Sequence, residues 1–157
     1  MKLYCVRHAE AVNAIENSER PLSLQGQEDM RKLAQHLLRQ GLRVSQLMHS
    51  PRLRARQTAE ILAQALKPQA ITEAKTGLDE NDSVEDLVES IQHWEDDTIL
   101  VGHMPFVSRL VSALMIDEPF QHLIDFVPGT IVCLENYGDK AWLIKWVLTP
   151  ELVRGNH

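Results

Sequence analysis

Strand-like and helix-like runs alternate along this chain, and the strand-like runs are short and apolar. The clearest is Thr98-Ile99-Leu100-Val101, an unbroken run rather than an alternating one. Such a run is typical of a strand whose two faces are both covered by helices. Repeated strand-helix alternation predicts an α/β fold, a three-layer α/β/α sandwich around a mainly parallel central sheet.

Four segments carry apolar residues at the spacing of a helix with one buried face. The first is predicted to begin at Ser23 as its N-cap and to end at Gly41, and the second to end at Pro68. Ser83 is the predicted N-cap of the third, and Pro105 suits the first turn of the fourth. The predicted buried faces are Met30, Leu33, Ala34, Leu37 and Leu38; Ala55, Ala59, Leu62 and Leu66; Val84, Leu87, Val88 and Ile91; and Val107, Leu110, Val111 and Leu114.

Three further strands are expected near residues 3–6, 44–49 and 70–73. Beyond the fourth helix, two strand-like runs are joined by Asn136-Tyr137-Gly138-Asp139, which predicts a C-terminal antiparallel hairpin. Trp142 and Trp146 lie four residues apart on the last run. Since a strand repeats every two residues, we expect both rings on one face, in a packing role.

Length, composition and net charge limit the number of domains and the kinds of partner that this chain can have. A chain of 157 residues that is 44% hydrophobic fits a single domain spanning 1–157. Its net charge of -6 disfavours nucleic acid or an anionic membrane as the main partner, since both attract basic surfaces. No apolar run approaches the roughly 20 residues of a membrane span. We expect a cytoplasmic protein, with a monomer favoured.

Two cysteines, Cys5 and Cys133, lie within apolar strand-like runs rather than in a spaced framework. That setting favours two buried free thiols in a reducing compartment over a disulfide, which remains the alternative.

Three predicted strand ends carry side chains suited to phosphate chemistry. Arg7-His8 follows the first strand, a group of arginines at positions 52, 54 and 56 follows the second, and His103 follows the run at 98–101. Strand ends of a parallel sheet share one edge, where ligands bind. Guanidinium groups hold phosphoryl oxygens through forked hydrogen bonds, and an imidazole can act as nucleophile. Spacing alone does not choose among the three arginines.

The same residues resemble the motifs of the histidine phosphatase superfamily, also called phosphoglycerate-mutase-like. The likeness comprises Arg7-His8, with Ala9 where a glycine usually stands; Arg20-Pro21-Leu22-Ser23 with Gly26; the Ser-Pro-x-x-Arg-Ala-x-Gln-Thr run from Ser50 to Thr58; and Gly102-His103. It implies that His8 is the nucleophile that becomes phosphorylated. It also implies that Arg7, Arg54 and His103 complete the phosphate pocket, and that neither a metal nor another cofactor is needed. A metal site of His49 with His8 and His103 has no supporting ligand spacing.

Within the superfamily, the compact chain and its Arg-Pro-Leu-Ser segment are most similar to SixA-type phosphohistidine phosphatases. That likeness implies a phosphohistidine-carrying protein as substrate and partner. Arg20 is expected either to order the loop before Pro21 or to contact the substrate. Leu78-Asp79-Glu80 resembles the Leu-x-Glu loop that supplies a proton donor in relatives acting on phosphoesters.

Two alternatives remain open at this stage. The first is a phosphomonoesterase for a small metabolite or a phosphoserine-type substrate, with Glu80 as general acid, because an alcohol leaving group needs a proton. The second is a non-catalytic module that binds phosphate. A ring-protonated phosphoimidazole departs as neutral imidazole, so phosphohistidine hydrolysis can proceed without an acid.

Overall fold

The computed structural model describes residues 1–155 and contains one six-stranded sheet within them. The strands are β1 (Lys2–Arg7), β2 (Gln46–His49), β3 (Ala70–Glu73), β4 (Thr98–Gly102), β5 (Ile131–Asn136) and β6 (Trp142–Leu148). The helices are α1 (Leu24–Arg39), α2 (Leu53–Leu66), α3 (Glu85–Ile91), α4 (Phe106–Ile116) and the short α5 (Pro150–Val153).

The sheet order is β3-β2-β4-β1-β5-β6. The first four strands in this order pair in parallel, whereas β5 and β6 pair antiparallel and close the sheet as a hairpin. Register aligns the ends of the parallel strands, since Arg7 pairs with Gly102 and His49 with Val101. The residues that follow β1, β2 and β4 therefore meet at one edge, as the sequence predicted.

Helices cover both faces of the sheet and form two apolar cores. Along β1 the side chains alternate, with Tyr4 and Val6 on the face covered by α1 and α2, and Leu3 and Cys5 on the face covered by α3 and α4. The predicted three-layer α/β/α architecture with a C-terminal hairpin is confirmed. Cys5 and Cys133 are both free and buried, as expected.

The predicted ends of α1 are also confirmed. The Ser23 side chain caps the helix by accepting a hydrogen bond from the Gly26 amide at 3.0 Å. Gly41 follows the last turn with φ +78°, a left-handed conformation that glycine adopts without steric penalty. Leu38, predicted on the buried face, is instead 46% exposed, because the buried stripe of α1 ends at Leu37.

Two other local predictions are wrong. Helix α3 begins at Glu85 with Val84 as its N-cap, and Ser83 contributes only a 3.3 Å acceptor contact to the Glu85 amide. Trp142 and Trp146 lie on opposite faces, because a bulge shifts the β5–β6 register between their positions. Their packing role is nevertheless observed, and Trp146 contacts Tyr4 with ring centroids 5.9 Å apart.

None of the helices within residues 1–155 is long and apolar enough to cross a membrane.

Candidate active site

The segment leaving β1 is fixed by backbone hydrogen bonds on both sides. The His8 amide donates to the Gly102 carbonyl at 3.0 Å. The Gly129 amide, just before β5, donates to the carbonyls of Arg7 and His8 at 3.1 and 3.0 Å. Gly129 has φ +87°, which favours glycine at this junction. Arg7 and His8 are therefore held rigidly at the edge where three strands end.

The His8 imidazole is oriented by its own loop. Its Nδ1 lies 2.7 Å from the Ala9 carbonyl oxygen, which can only accept, so Nδ1 carries the proton and Nε2 retains its lone pair. The side chain is only 6% exposed. Burial, together with the charges of Arg54, Arg7 and Arg20, lowers the pKa of His8 to about 4 despite the opposing bond to Ala9. His8 is thus neutral at neutral pH, with a lone pair available on Nε2.

The structure distinguishes the three arginines near α2 that spacing left equivalent. Arg54 lies in the first turn of α2 and is 7% exposed. Arg52 and Arg56 have half-exposed side chains, and Arg56 pairs with Glu60 on the same helix at 3.6 Å. Of the three, only Arg54 is buried and close enough to His8 for its charge to lower the His8 pKa.

Sequence reasoning gave no role to the end of this motif, which connects the loops around the site. The Thr58 hydroxyl accepts from the Ala9 amide at 3.1 Å and donates to the Arg54 carbonyl at 2.8 Å. The Gln57 side chain accepts from the Leu22 amide at 2.8 Å. One turn of α2 therefore fixes both the His8 loop and the segment before α1. The only sequence signal for these two contacts was the presence of Gln57 and Thr58 in the motif.

Helix α1 approaches the His8 loop too closely for a side chain at Gly26. A Cβ atom there would lie 2.1 Å from the Glu10 carbonyl oxygen. The Ala9 methyl, by contrast, is fully buried in the apolar core, and its backbone is not left-handed. Alanine therefore replaces the usual glycine at this position without backbone strain.

His103 lies beside His8 after β4. Its ring is 1% exposed, and the centroids of the two imidazoles are 5.2 Å apart. Its Nε2 forms a short hydrogen bond with the Ser50 hydroxyl, whereas its Nδ1 has no partner. Burial is the main factor that lowers the pKa of His103 to about 3, with further lowering from the charge of Arg54 and from that of His8 once it is protonated. This second imidazole is also neutral at neutral pH.

The site contains unpaired hydrogen-bonding groups. Within residues 1–155, five buried side-chain nitrogen or oxygen atoms lack a partner, and three of these are Arg7 Nε, Arg54 Nε and His103 Nδ1. The Arg7 Nη1 group donates to the Phe126 carbonyl at 2.7 Å, which fixes that guanidinium. Burying a donor without an acceptor is unfavourable by about 1–3 kcal/mol. Two positive charges and three unpaired nitrogens beside His8 suit an anion.

Comparison with known families agrees with this geometry. Residues 3–89, more than half of the chain, match the family model of the histidine phosphatase superfamily, branch 1. The chain belongs to the histidine phosphatase superfamily. The predicted family and the prediction that the protein is a phosphatase are therefore confirmed.

One sequence relative and two solved structures are similar to this histidine phosphatase. An uncharacterized protein of Picosynechococcus sp. is 34% identical over 131 residues, which cover 78% of each chain. The fold is shared with the protein histidine phosphatase SixA complexed with tungstate, with TM-score 0.86 and 24% identity over 98% of this chain and 100% of that one. It is also shared with a phosphoserine phosphatase of Entamoeba histolytica, with TM-score 0.71 and 14% identity over 96% and 98% of the two chains.

The histidine phosphatase site also brings in Glu80, from the loop before α3. Its Oε1 lies 3.2 Å from Arg54 Nη2 and 3.7 Å from Arg52 Nη2, while Asp79 contacts Arg52 Nε at 3.4 Å. Glu80 therefore contacts a buried arginine of the site. This contact is compatible with the predicted proton-donor role and equally with a purely electrostatic one.

Arg20 lies close enough to act on the site through its charge. Its Nε donates to the Val12 carbonyl at 3.1 Å, so its side chain orders the loop before Pro21. Its backbone is left-handed, with φ +52°. The Arg20 charge contributes to lowering the pKa of both His8 and Arg54. Arg20 is thus a loop-ordering residue that also makes the site more positive.

His49 is buried near this edge, but its Nδ1 is occupied by the Ser50 carbonyl at 2.8 Å. In the part of the chain that the structure describes, no group of three or more histidine, cysteine or acidic residues could hold a metal ion.

The two neutral imidazoles predict an acid-sensitive fold. In the unfolded chain both histidines protonate near pH 6.5, whereas in the folded protein they resist protonation down to about pH 4 and 3. The free energy of unfolding therefore has its full value above pH 6.5. It decreases as the pH falls towards 4, by up to about 1.4 kcal/mol per pH unit for each histidine. Urea unfolding at pH 7, 6 and 5 measures this slope.

A matched pair of variants tests whether His103 causes this pH dependence. His103→Gln should flatten it, and His93→Gln, which removes a solvent-exposed histidine, should leave it unchanged. Equal slopes in His103→Gln and the unmodified protein would contradict the assignment.

Proposed function

We propose that this protein hydrolyses phosphohistidine on a partner protein through a phosphorylated His8 intermediate. The observation that carries the proposal is the set of unpaired nitrogens on Arg7, Arg54 and His103 around a neutral His8 whose Nε2 is free. Arg7 and Arg54 offer fixed positive charge. Together with His103 they can hold the three oxygens of a phosphoryl group, and His8 is placed for in-line attack on its phosphorus.

The reaction divides into two transfers. His8 Nε2 attacks phosphorus while Arg7, Arg54 and His103 hold the nonbridging oxygens, and the P–N bond of the substrate breaks. The substrate imidazole leaves as a neutral ring because its second nitrogen is already protonated. Water then attacks phospho-His8, which releases phosphate and restores the lone pair on Nε2.

Phosphohistidine is favoured as substrate by the compact chain, since residues 1–155 contain no large segment inserted around the site. A phosphohistidine on another domain could approach the open edge directly. The structural similarity to SixA, named as a protein histidine phosphatase, also supports this choice. The partner could be a phosphorelay domain or a phosphotransferase-type carrier.

A phosphomonoesterase is the second candidate, and the position of Glu80 favours it. The carboxyl group lies on Arg54, at the pocket where the phosphoryl group would bind. Alcohol leaving groups need a proton, which a carboxylic acid at this position could supply. The fold shared with a phosphoserine phosphatase is consistent with this alternative.

Glu80→Gln distinguishes the two functions. With phosphohistidine as the physiological substrate, the unmodified protein should turn over a phosphohistidine protein faster than phenyl phosphate, and Glu80→Gln should change the phosphohistidine rate by less than about threefold, since no proton is donated. The measurement is kcat on phosphohistidine, p-nitrophenyl phosphate and phenyl phosphate. Glu89→Gln, the same substitution at an exposed position of α3, is the control.

A phosphomonoesterase gives the opposite pattern. Phenyl phosphate, the poorer leaving group, would then be the substrate most affected by Glu80→Gln, with a loss of about 10²-fold or more. That result, together with slow phosphohistidine turnover by the unmodified protein, would overturn the proposal.

A further inference from the structure

Ser50 is a buried polar residue between the two halves of the site. It follows β2, is completely buried, and its amide donates to the Val101 carbonyl of β4 at 3.1 Å. Two residues beyond Val101 is His103, whose Nε2 contacts the Ser50 hydroxyl. The backbone thus fixes Ser50 to the strand that delivers His103.

The hydrogen bonds around Ser50 determine where its hydroxyl proton points. The oxygen accepts from the Arg52 amide at 3.2 Å. The hydroxyl then has one proton to donate, and among residues 1–155 its one other hydrogen-bond partner is His103 Nε2. Donation to Nε2 satisfies the buried hydroxyl completely.

We propose that Ser50 is a positioning residue that fixes the tautomer of His103, placing the single ring proton on Nδ1, the nitrogen left for the transferred phosphoryl group. The inference rests on the proposed function in so far as it assigns that group to Nδ1. A tautomer is defined only for a neutral imidazole, and the low pKa of His103 keeps its ring neutral at neutral pH. A neutral ring has one N–H, so the partner of one nitrogen decides the role of the other.

The opposite tautomer would be unfavourable at both ends of the ring. With the proton on Nε2, Ser50 Oγ would accept two hydrogen bonds, and its own buried O–H would lack an acceptor. The unpaired Nδ1 would then direct a lone pair at phosphoryl oxygens. Fixing the tautomer before substrate binds means that no proton has to move as charge develops on the oxygens.

Nitrogen NMR of the histidine-labelled protein tests the tautomer directly, because protonated and unprotonated ring nitrogens have well-separated shifts. His103→Gln identifies the signals of His103 by their disappearance. In the unmodified protein we expect a proton on Nδ1 and none on Nε2. A proton on Nε2 would overturn the proposal, whatever substrate the protein acts on, because the spectrum requires no turnover.

Kinetics of Ser50→Ala test the consequence. We expect kcat to fall about tenfold or more with KM within about threefold, since the donor acts most strongly on the transition state. The His103 signals should shift towards a mixture of tautomers. Ser112→Ala removes a completely buried hydroxyl from α4 and is the control expected to leave both readouts unchanged. An unaltered tautomer and kcat in Ser50→Ala would overturn the proposal.

Discussion

His8→Ala is expected to reduce phosphohistidine turnover by roughly 10⁴- to 10⁶-fold, because removing a covalent nucleophile removes the route through the intermediate. Within residues 1–155, no other imidazole is placed to take its role. His103 is the one adjacent ring, and its Nε2 is occupied by Ser50. The measurement is release of phosphate from a phosphohistidine protein by enzyme in excess.

The variant should remain folded, because the His8 side chain makes one hydrogen bond and that bond is local. His93→Ala, at an exposed position just after α3, serves as the control with unchanged activity. A His8→Ala rate within about tenfold of the unmodified rate would show that phosphate reaches water without His8.

Arg54→Lys is expected to lower kcat/KM by about 10²- to 10³-fold while retaining the positive charge. A guanidinium presents several N–H groups in a fixed plane, whereas an ammonium is a point charge on a flexible chain. Arg54 Nε is buried and unpaired, and its Nη2 already contacts Glu80. Lysine can satisfy one of these positions at a time.

Arg56→Lys is the matched control two residues along the same helix. Its side chain is half exposed and pairs with Glu60, so we expect a change in kcat/KM of less than about twofold. Similar effects of the two substitutions on steady-state kinetics would contradict the selection of Arg54 and would indicate that α2 contributes charge without specific geometry.

Much of the fold follows from local pattern, because covered parallel strands and amphipathic helices each leave a short-range signature. The wrong predictions concern features that depend on contacts with residues distant in the sequence. The bulge that separates Trp142 from Trp146 is a property of pairing with β5, and a period of two residues contains no information about it. Similarly, Asp82 accepts from the amides of Gly77 and Asp79, so the loop before α3 extends further than the Ser83 signal suggested.

The site was predictable to the extent that strand ends converge in a parallel sheet. That rule brings Arg7, His8 and His103 to one edge, as observed. It did not choose among three arginines, because the choice depends on which face of α2 is buried against the sheet. It also gave no role to Ser50 or Thr58, whose partners lie 53 and 49 residues away in the sequence. Such roles follow from contacts that only the folded chain creates.

The covalent intermediate is the centre of this account, and rapid quenching tests it most directly. The protein is mixed with a partner carrying radiolabelled phosphohistidine, quenched in alkali during turnover, and its peptides are mapped by mass spectrometry. We predict acid-labile, alkali-stable phosphate on the peptide that contains His8, forming before free phosphate appears. Phosphate release without any label on His8 would contradict the mechanism.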